Sequence, residues 1–266
     1  MSGEGTAVDT AAGGRVEAIA LVGIPEVVAG DDVGALIGDA IERSAGVLPL
    51  RPDDVIVVTQ KIVSKAEGAV VDLTTVEPRP EAVAFAERWD RDPRQIEVVL
   101  REARRVVRIE HGVLITETEH GFVCANGGVD ASNVGPASGN LVTLLPHDPD
   151  GSARRFRDAL RARFGVDVPV IVSDSFGRPW RWGITDVAIG VSGLVPIEDL
   201  RGTPDADGRV MKSTIRASAD EIASAAELAL GKVAGRPVAI VRGARPLLGE
   251  GSIRDAVMPP AFDLFR

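Results

Sequence analysis

Apolar and polar positions alternate along the chain in blocks that predict strands and helices. Val16 to Val22 (VEAIALV) predicts a strand closed by a Gly23-Ile24-Pro25 turn, and Asp31 or Asp32 can cap a helix with Val33, Leu36, Ile37, Ala40 and Ile41 on one face. Val55 to Val58 is a short β-branched run, the signature of a buried strand. Pro80–Trp89 and Pro93–Arg105 predict two helices, each with proline near its start. Val113 to Ile115 and Phe122 to Val123 bracket a polar connection and predict a hairpin. The stretch Ala125 to Asn140 (ANGGVDASNVGPASGN) is nearly free of large apolar residues, which marks a functional or disordered loop. Ser152 is expected to open a helix carrying Phe156, Leu160 and Phe164, and Val168 to Val172 predicts another buried strand. Ser218 to Glu221 reads as a capping box that starts a helix to about Gly231, and Val238 to Val241 as a last strand. This order predicts an α/β or α+β protein with a mixed sheet; a regular doubly wound fold is not implied.

Composition narrows the class. The chain has 266 residues, 45% hydrophobic and 26% charged, which excludes wholesale disorder and fibrous repeats. Its net charge of -9 makes it a poor partner for nucleic acid, while leaving room for a local basic pocket. The one cysteine, Cys124, excludes intrachain disulfides and Cys-based metal clusters, and the three histidines lack HExxH spacing. No apolar run approaches the roughly 20 residues of a membrane helix, so no membrane partner is expected. Residues 1–14 are small and polar, unlike a signal peptide; they are expected to be a disordered leader to a cytoplasmic domain spanning 15–266.

There is no P-loop: Gly231-Lys232 is followed by Val233 and lacks the earlier glycine. There is no GxGxxG opening a helix and no GxSxG elbow. Four segments remain for chemistry. VGIPEVVAGDD (Val22 to Asp32) reads by itself as a strand–turn–helix corner. In VVTQKIVSKAEG (Val57 to Gly68), Lys61 and Lys65 share one face if the turn is helical, either as an anion clamp or as solvated surface lysines. In HGFVCANGGVDASNV (His120 to Val134), Asp130 and Asn133 offer oxygen ligands and amide hydrogen bonds; Cys124 reads as a small core hydrophobe and His120 as a turn or surface residue. In VIVSDSFGRPWRWGITDVAIG (Val170 to Gly190), a strand is expected to end at Ser173. Asp174 and Ser175 then suit a hard divalent cation, and Arg178 and Arg181 suit an anionic group. Trp180 and Trp182 are expected to pack in the core rather than stack on a ligand ring. Together these groups fit Mg²⁺- or Mn²⁺-assisted phosphoryl chemistry.

At these segments, and at ADEIASAAELALGK, the chain resembles the coenzyme F420-0:L-glutamate ligases, or gamma-glutamyl ligases, in family order and over nearly all of its length after about residue 15. Coenzyme F420 is a deazaflavin. The resemblance implies the family's own α/β fold without a P-loop, in the standalone form lacking a C-terminal flavin-binding domain. It implies a GTP-dependent enzyme that adds L-glutamate to coenzyme F420-0, and extends a gamma-linked tail, through an acyl phosphate. GTP would contact Gly23, Ile24, Pro25, Glu26, Gln60, Lys65 and Asn133. Divalent ions, Mg²⁺ or Mn²⁺ and two per site, would sit on Asp130, Asp174 and Ser175, with K⁺ as a further ion. Lys65 and Asp174 would be the catalytic residues, and the protein a homodimer. Two rival readings stay open: an amide ligase of this fold acting on another carboxylate acceptor, and a non-catalytic GTP- and metal-binding protein.

Overall fold

The computed structural model describes residues 14–132 and 139–264. The first thirteen residues of the expected leader, and Asn133 within the Gly-rich loop, lie outside them.

Strand β1 (Glu17–Ala20) leads to helix α1 (Val33–Arg43) through an irregular segment; the turn expected at Gly23-Ile24-Pro25 lies instead at Ala29-Gly30, closed by the Asp31 N–H donating to the Val28 carbonyl at 3.2 Å. The Asp32 carboxylate caps α1 by accepting from the Ala35 N–H at 3.0 Å, and Val33, Ile37, Ala40 and Ile41 are buried as the periodicity predicts. Strand β2 (Asp54–Thr59) runs directly into α2 (Gln60–Ala66). Next come β3 (Val70–Asp72), α3 (Pro80–Trp89) and α4 (Pro93–Glu102), both helices with proline in the first turn. Helix α4 ends earlier than its apolar spacing suggests, because Ala103–Glu110 forms β4, which pairs with β5 (Val113–Thr118). The expected hairpin partner is β6 (Val123–Ala125), and β7 (Leu141–Thr143) returns to pair with β3.

Helix α5 (Pro149–Phe164) starts before Ser152. Asp148 is its cap, while the Ser152 hydroxyl donates to Glu67 at 2.5 Å. Strand β8 (Val170–Arg178) does not stop at Ser173; it continues into a hairpin with β9 (Arg181–Ser192). A short ladder of β10 (Glu198–Asp199) and β11 (Ile215–Arg216) precedes α6 (Ser218–Leu230) and β12 (Val238–Arg242). The expected capping box of α6 does not form. Ala217 is the N-cap and the Ser218 hydroxyl donates to the Pro196 carbonyl at 3.3 Å, a tertiary partner that wins over the local one.

The main sheet has the order β1-β12-β2-β8-β9, with β2 and β8 parallel and the other pairs antiparallel. The protein is thus the mixed α+β type that its pattern predicts. Helices α5 and α6 pack against this sheet, and α1 packs on α5. At Gly190 in β9 a Cβ would lie 2.5 Å from the Pro149 backbone, so only glycine lets α5 sit this close. A second buried cluster, including Leu73, Ile96, Val99, Leu114 and Val142, unites β3, β7, α3, α4 and β5 in a smaller lobe.

Candidate active site

The parallel pair β2 and β8 ends with Thr59 beside Ser173, and both chains deliver polar residues just beyond that point. Ligand sites of open α/β sheets gather at such C-terminal strand ends, where helix starts and loops are free of the ladder. Here they frame a cavity of about 330 Å³.

One wall comes from α2. Lys61 and Lys65 lie one helical turn apart and both line the cavity, as their spacing predicts. Neither is a free surface lysine. Lys61 Nζ bonds Asp130 Oδ2 at 2.6 Å and the Ser132 carbonyl at 2.6 Å, while the buried Lys65 donates to Glu26 Oε1 at 2.5 Å. Gln60 is buried and its Oε1 accepts from Ser64 at 2.8 Å. Burial pushes Asp130 up, but the Lys61 ammonium and the Ser132 N–H outweigh it and hold the carboxyl below its ordinary value.

The opposite wall is the β8–β9 hairpin. Alternation along β8 puts Ser173 and Ser175 on one face and Asp174 and Phe176 on the other. Asp186 stands opposite Ser175 in the antiparallel register. It is buried and accepts from Ser173 Oγ at 3.0 Å and from Ser175 Oγ at 2.6 Å. Lys232, from the turn after α6, places its ammonium on Ser175 Oγ. Asp174 lines the same cavity, within electrostatic reach of Asp186, Asp130 and Cys124. Burial, then the negative charges of Asp186 and Asp130, push its carboxyl up to about 7, against the Ser175 N–H and Lys232. Burial and Asp186 likewise raise Glu227, and Lys232 opposes them. The cavity therefore holds carboxylates that strain against one another and lysines that partly relieve them.

This donor set is all oxygen, which suits Mg²⁺ or Mn²⁺. Among the described residues no three acidic, histidine or cysteine side chains already converge on one point.

The family model for F420-0:Gamma-glutamyl ligase matches residues 22–243. The chain belongs to the F420-0:gamma-glutamyl ligase family. It is 42% identical to the coenzyme F420:L-glutamate ligase of Methanothermobacter thermautotrophicus over 94% of this chain and 99% of that relative. It is 46% identical to the protein of the same name from Methanopyrus kandleri, over 89% of this chain and 92% of the relative. A third, from Methanocaldococcus jannaschii, is 42% identical over 82% of this chain and 86% of its own.

Of the positions the gamma-glutamyl ligase motifs single out, the fold brings Ile24, Pro25, Glu26, Gln60, Lys65, Asp130, Asp174 and Ser175 to this one cavity. Gly23 stands outside its lining; its carbonyl accepts from Arg43 at 3.0 Å and its φ of +80° lies in the region that favours glycine. Arg178 and Arg181 do not join the cavity lining; both are exposed near the hairpin tip. The tryptophans overturn the core expectation. Trp180 is 86% and Trp182 101% exposed, because the extended β8–β9 hairpin carries them away from the core. Cys124 is buried, and burial plus the Asp174 charge push its thiol up to about 12, the inert state expected of a core cysteine. His120 bonds the Pro146 carbonyl at 2.9 Å and stacks on Phe122, a packing role.

Asp186, Glu227 and Lys232 are cavity residues that the motif spacing did not single out. The signal for Asp186 was the alternation Thr185, Val187, Ile189, Val191 after Gly183, which reads as a strand once Ser173 is not taken as the end of the preceding one.

Proposed function

We propose that this family member is a GTP-dependent ligase that joins L-glutamate to coenzyme F420-0 and lengthens a gamma-linked tail. The observation that carries the reading is the cavity itself, where Lys61 and Lys65 face Asp174 and Ser175 across the ends of two parallel strands. The names of the three relatives supply the substrate pair.

In this reading GTP would bind in this cavity without a P-loop, with its phosphates toward Lys65 and its base and ribose toward Ile24, Pro25, Glu26 and Gln60, all of which line it; Asn133 is a further contact implied by the motifs. Asp130, Asp174 and Ser175 would hold Mg²⁺ or Mn²⁺, which neutralises phosphate charge when bound. The acceptor carboxylate attacks the γ-phosphorus, the bond to the β-γ bridging oxygen breaks, and GDP leaves. The glutamate amine then attacks the acyl carbon, loses a proton, and expels inorganic phosphate. Lys65, which lines the cavity, would stabilise charge on the transferred phosphoryl group. The walls must exclude water, because the acyl phosphate otherwise hydrolyses.

We further propose a homodimer of cytoplasmic location, and residues 15–266 as one functional unit. The exposed apolar tip formed by Trp180, Trp182 and Ile184 supports the dimer, since such patches on soluble chains are commonly covered by a partner. A single buried cysteine suits a reducing compartment. Among the described residues, no helix is long and apolar enough to cross a membrane.

The test is incubation with coenzyme F420-0, glutamate, GTP and Mn²⁺, read by mass spectrometry, beside Asp174→Ala. Products heavier by glutamyl units, lost without GTP and in the variant, are expected. GDP release without a glutamylated product would mean another acceptor. Folded protein that consumes no GTP would overturn the assignment.

A further inference from the structure

Arg178 and Arg181 stand directly opposite one another in the β8–β9 register, joined by the two-residue turn Pro179-Trp180. Like charges in facing positions of a ladder repel. Both side chains are exposed, and among the described residues neither forms an ion pair; Arg178 donates to the Trp182 carbonyl at 3.5 Å. Other exposed arginines of this chain find a carboxylate, as Arg201 does with Asp199 at 2.6 Å and Arg216 with Glu198 at 2.6 Å. Two facing guanidinium groups without a countercharge are an arrangement that an anionic ligand completes.

The turn that holds them together is built at a cost. Trp180 adopts φ +57°, a left-handed turn position that ordinarily takes glycine or asparagine and strains a bulky residue. Its side chain stays exposed, so burial does not offset the strain within the protomer. Strain of this kind gathers at ligand clamps. The turn also stands in line with the cavity. Alternation along β8 puts Arg178 on the strand face that carries Asp174 and Phe176, and cross-strand pairing puts Arg181 on the same face. Asp174 lines the cavity, Phe122 meets Phe176 edge-on, and Arg178 follows two residues later. Three residues of extended chain, about 10 Å, separate Ser175 in the cavity from Arg178.

We propose that Arg178, Arg181 and Trp180 form an outer subsite for the acceptor, in which the guanidinium pair takes the anionic group of its arm and the indole lies against its flat ring. The proposal rests on the ligase reading above. Coenzyme F420-0 carries its reacting carboxylate and its deazaflavin ring on either side of a phosphodiester. With the carboxylate at the γ-phosphate in the cavity, the phosphodiester and then the ring extend outward along β8, in the order in which the arginines and Trp180 are met. The incoming glutamate, whose amine must reach the acyl carbon inside the cavity, does not span this distance. A guanidinium fork binds a phosphodiester through two N–H donors, and an indole face stacks on a conjugated ring. Ile184 stands opposite Gly177, on the other face of the hairpin, so the dimer contact proposed above keeps that side.

The test titrates the protein with coenzyme F420-0, read by its deazaflavin fluorescence, with Mg²⁺ and the β,γ-imido analogue of GTP present. It compares the native chain, the double variant Arg178→Gln with Arg181→Gln, and Trp180→Gly. Glycine accepts φ +57° without strain, so Trp180→Gly removes the ring and keeps the turn. The Kd for coenzyme F420-0 is expected to rise about 10-fold or more in the double variant. It is expected to rise several-fold in Trp180→Gly, with loss of the emission change that stacking causes. The KM for coenzyme F420-0 should rise in parallel, while the KM for glutamate and the affinity for the GTP analogue stay near native. Unchanged acceptor affinity in the folded variants, or a rise confined to the KM for glutamate, would overturn the proposal and leave the ligase standing. A native chain that neither binds coenzyme F420-0 nor consumes GTP would overturn both.

Discussion

Ser175 Oγ donates to Asp186 Oδ1 at 2.6 Å across the β8–β9 ladder, and this bond fixes which way the serine's lone pairs point. With Ser175 as a proposed metal ligand, a carboxylate that holds its hydroxyl in one rotamer acts through orientation rather than contact with substrate. Asp186→Asn keeps the shape but can no longer accept from both Ser173 and Ser175 as an anion. Its kcat is expected to fall about 10- to 100-fold with a smaller change in the KM for GTP. Steady-state kinetics with a parallel thermal melt checks this; native turnover in the folded variant would remove the positioning role.

Asp174 carries a cost to stability that its proposed function explains. Its folded-state pKa, raised by burial and by Asp186 and Asp130 to about 7, lies above the ordinary 3.8. The folded state therefore holds this proton more tightly than the unfolded chain does. The resulting stability is fully present below 3.8 and is lost as the pH rises toward about 7. In metal-free protein, Asp174→Asn should melt progressively higher than the native chain as the pH rises through that window, while losing ligase activity. Thermal melts across the window decide it; a melting difference independent of pH would contradict the buried-charge account.

Arg242 and Asp54 face each other at the ends of β12 and β2, both buried, with Nε to Oδ1 at 2.6 Å. Arg242 also donates to the Val47 carbonyl at 2.9 Å, so the pair anchors the approach to β2. Asp54→Ala strands a guanidinium in the interior and is expected to cost about 3–5 kcal/mol. Urea unfolding measures this, and a loss under about 1 kcal/mol would mean that water reaches the site.

Trp182 has no core to pack in, and its neighbour Ile184 is also exposed. If the hairpin tip is the dimer contact, Trp182→Arg should shift sedimentation from dimer to monomer while leaving the melting temperature of the protomer nearly unchanged. A dimer of unaltered strength would place the interface elsewhere.

Close packing makes the last prediction. Gly190→Ala would push a methyl group into the Pro149 backbone, with an expected loss of about 1–3 kcal/mol or more. Denaturant unfolding checks it; a neutral result would mean that α5 can shift outward.

Local chemistry determined much of this protein. The β-branched runs of β2, β8 and β12 are buried strands because they are apolar on every side, and Asp32 caps α1 because its carboxylate reaches the Ala35 N–H three residues on. Lys61 and Lys65 share a wall of the cavity because one helical turn separates them, and the motifs around them were enough to identify the ligase family. Tertiary structure decided the rest. Whether β8 stops at Ser173 or runs on into a hairpin depends on a partner strand, and that pairing sends the tryptophans into solvent and sets Asp186 opposite Ser175. Ser218 caps nothing because a distant carbonyl takes its hydroxyl. Glu227 and Lys232 reach the site only because α6 lies across the sheet and the chain reverses at Gly231. The physical reason is the same each time: periodicity and caps act over one turn or one strand, whereas register and charge convergence are set by which distant segments pack together.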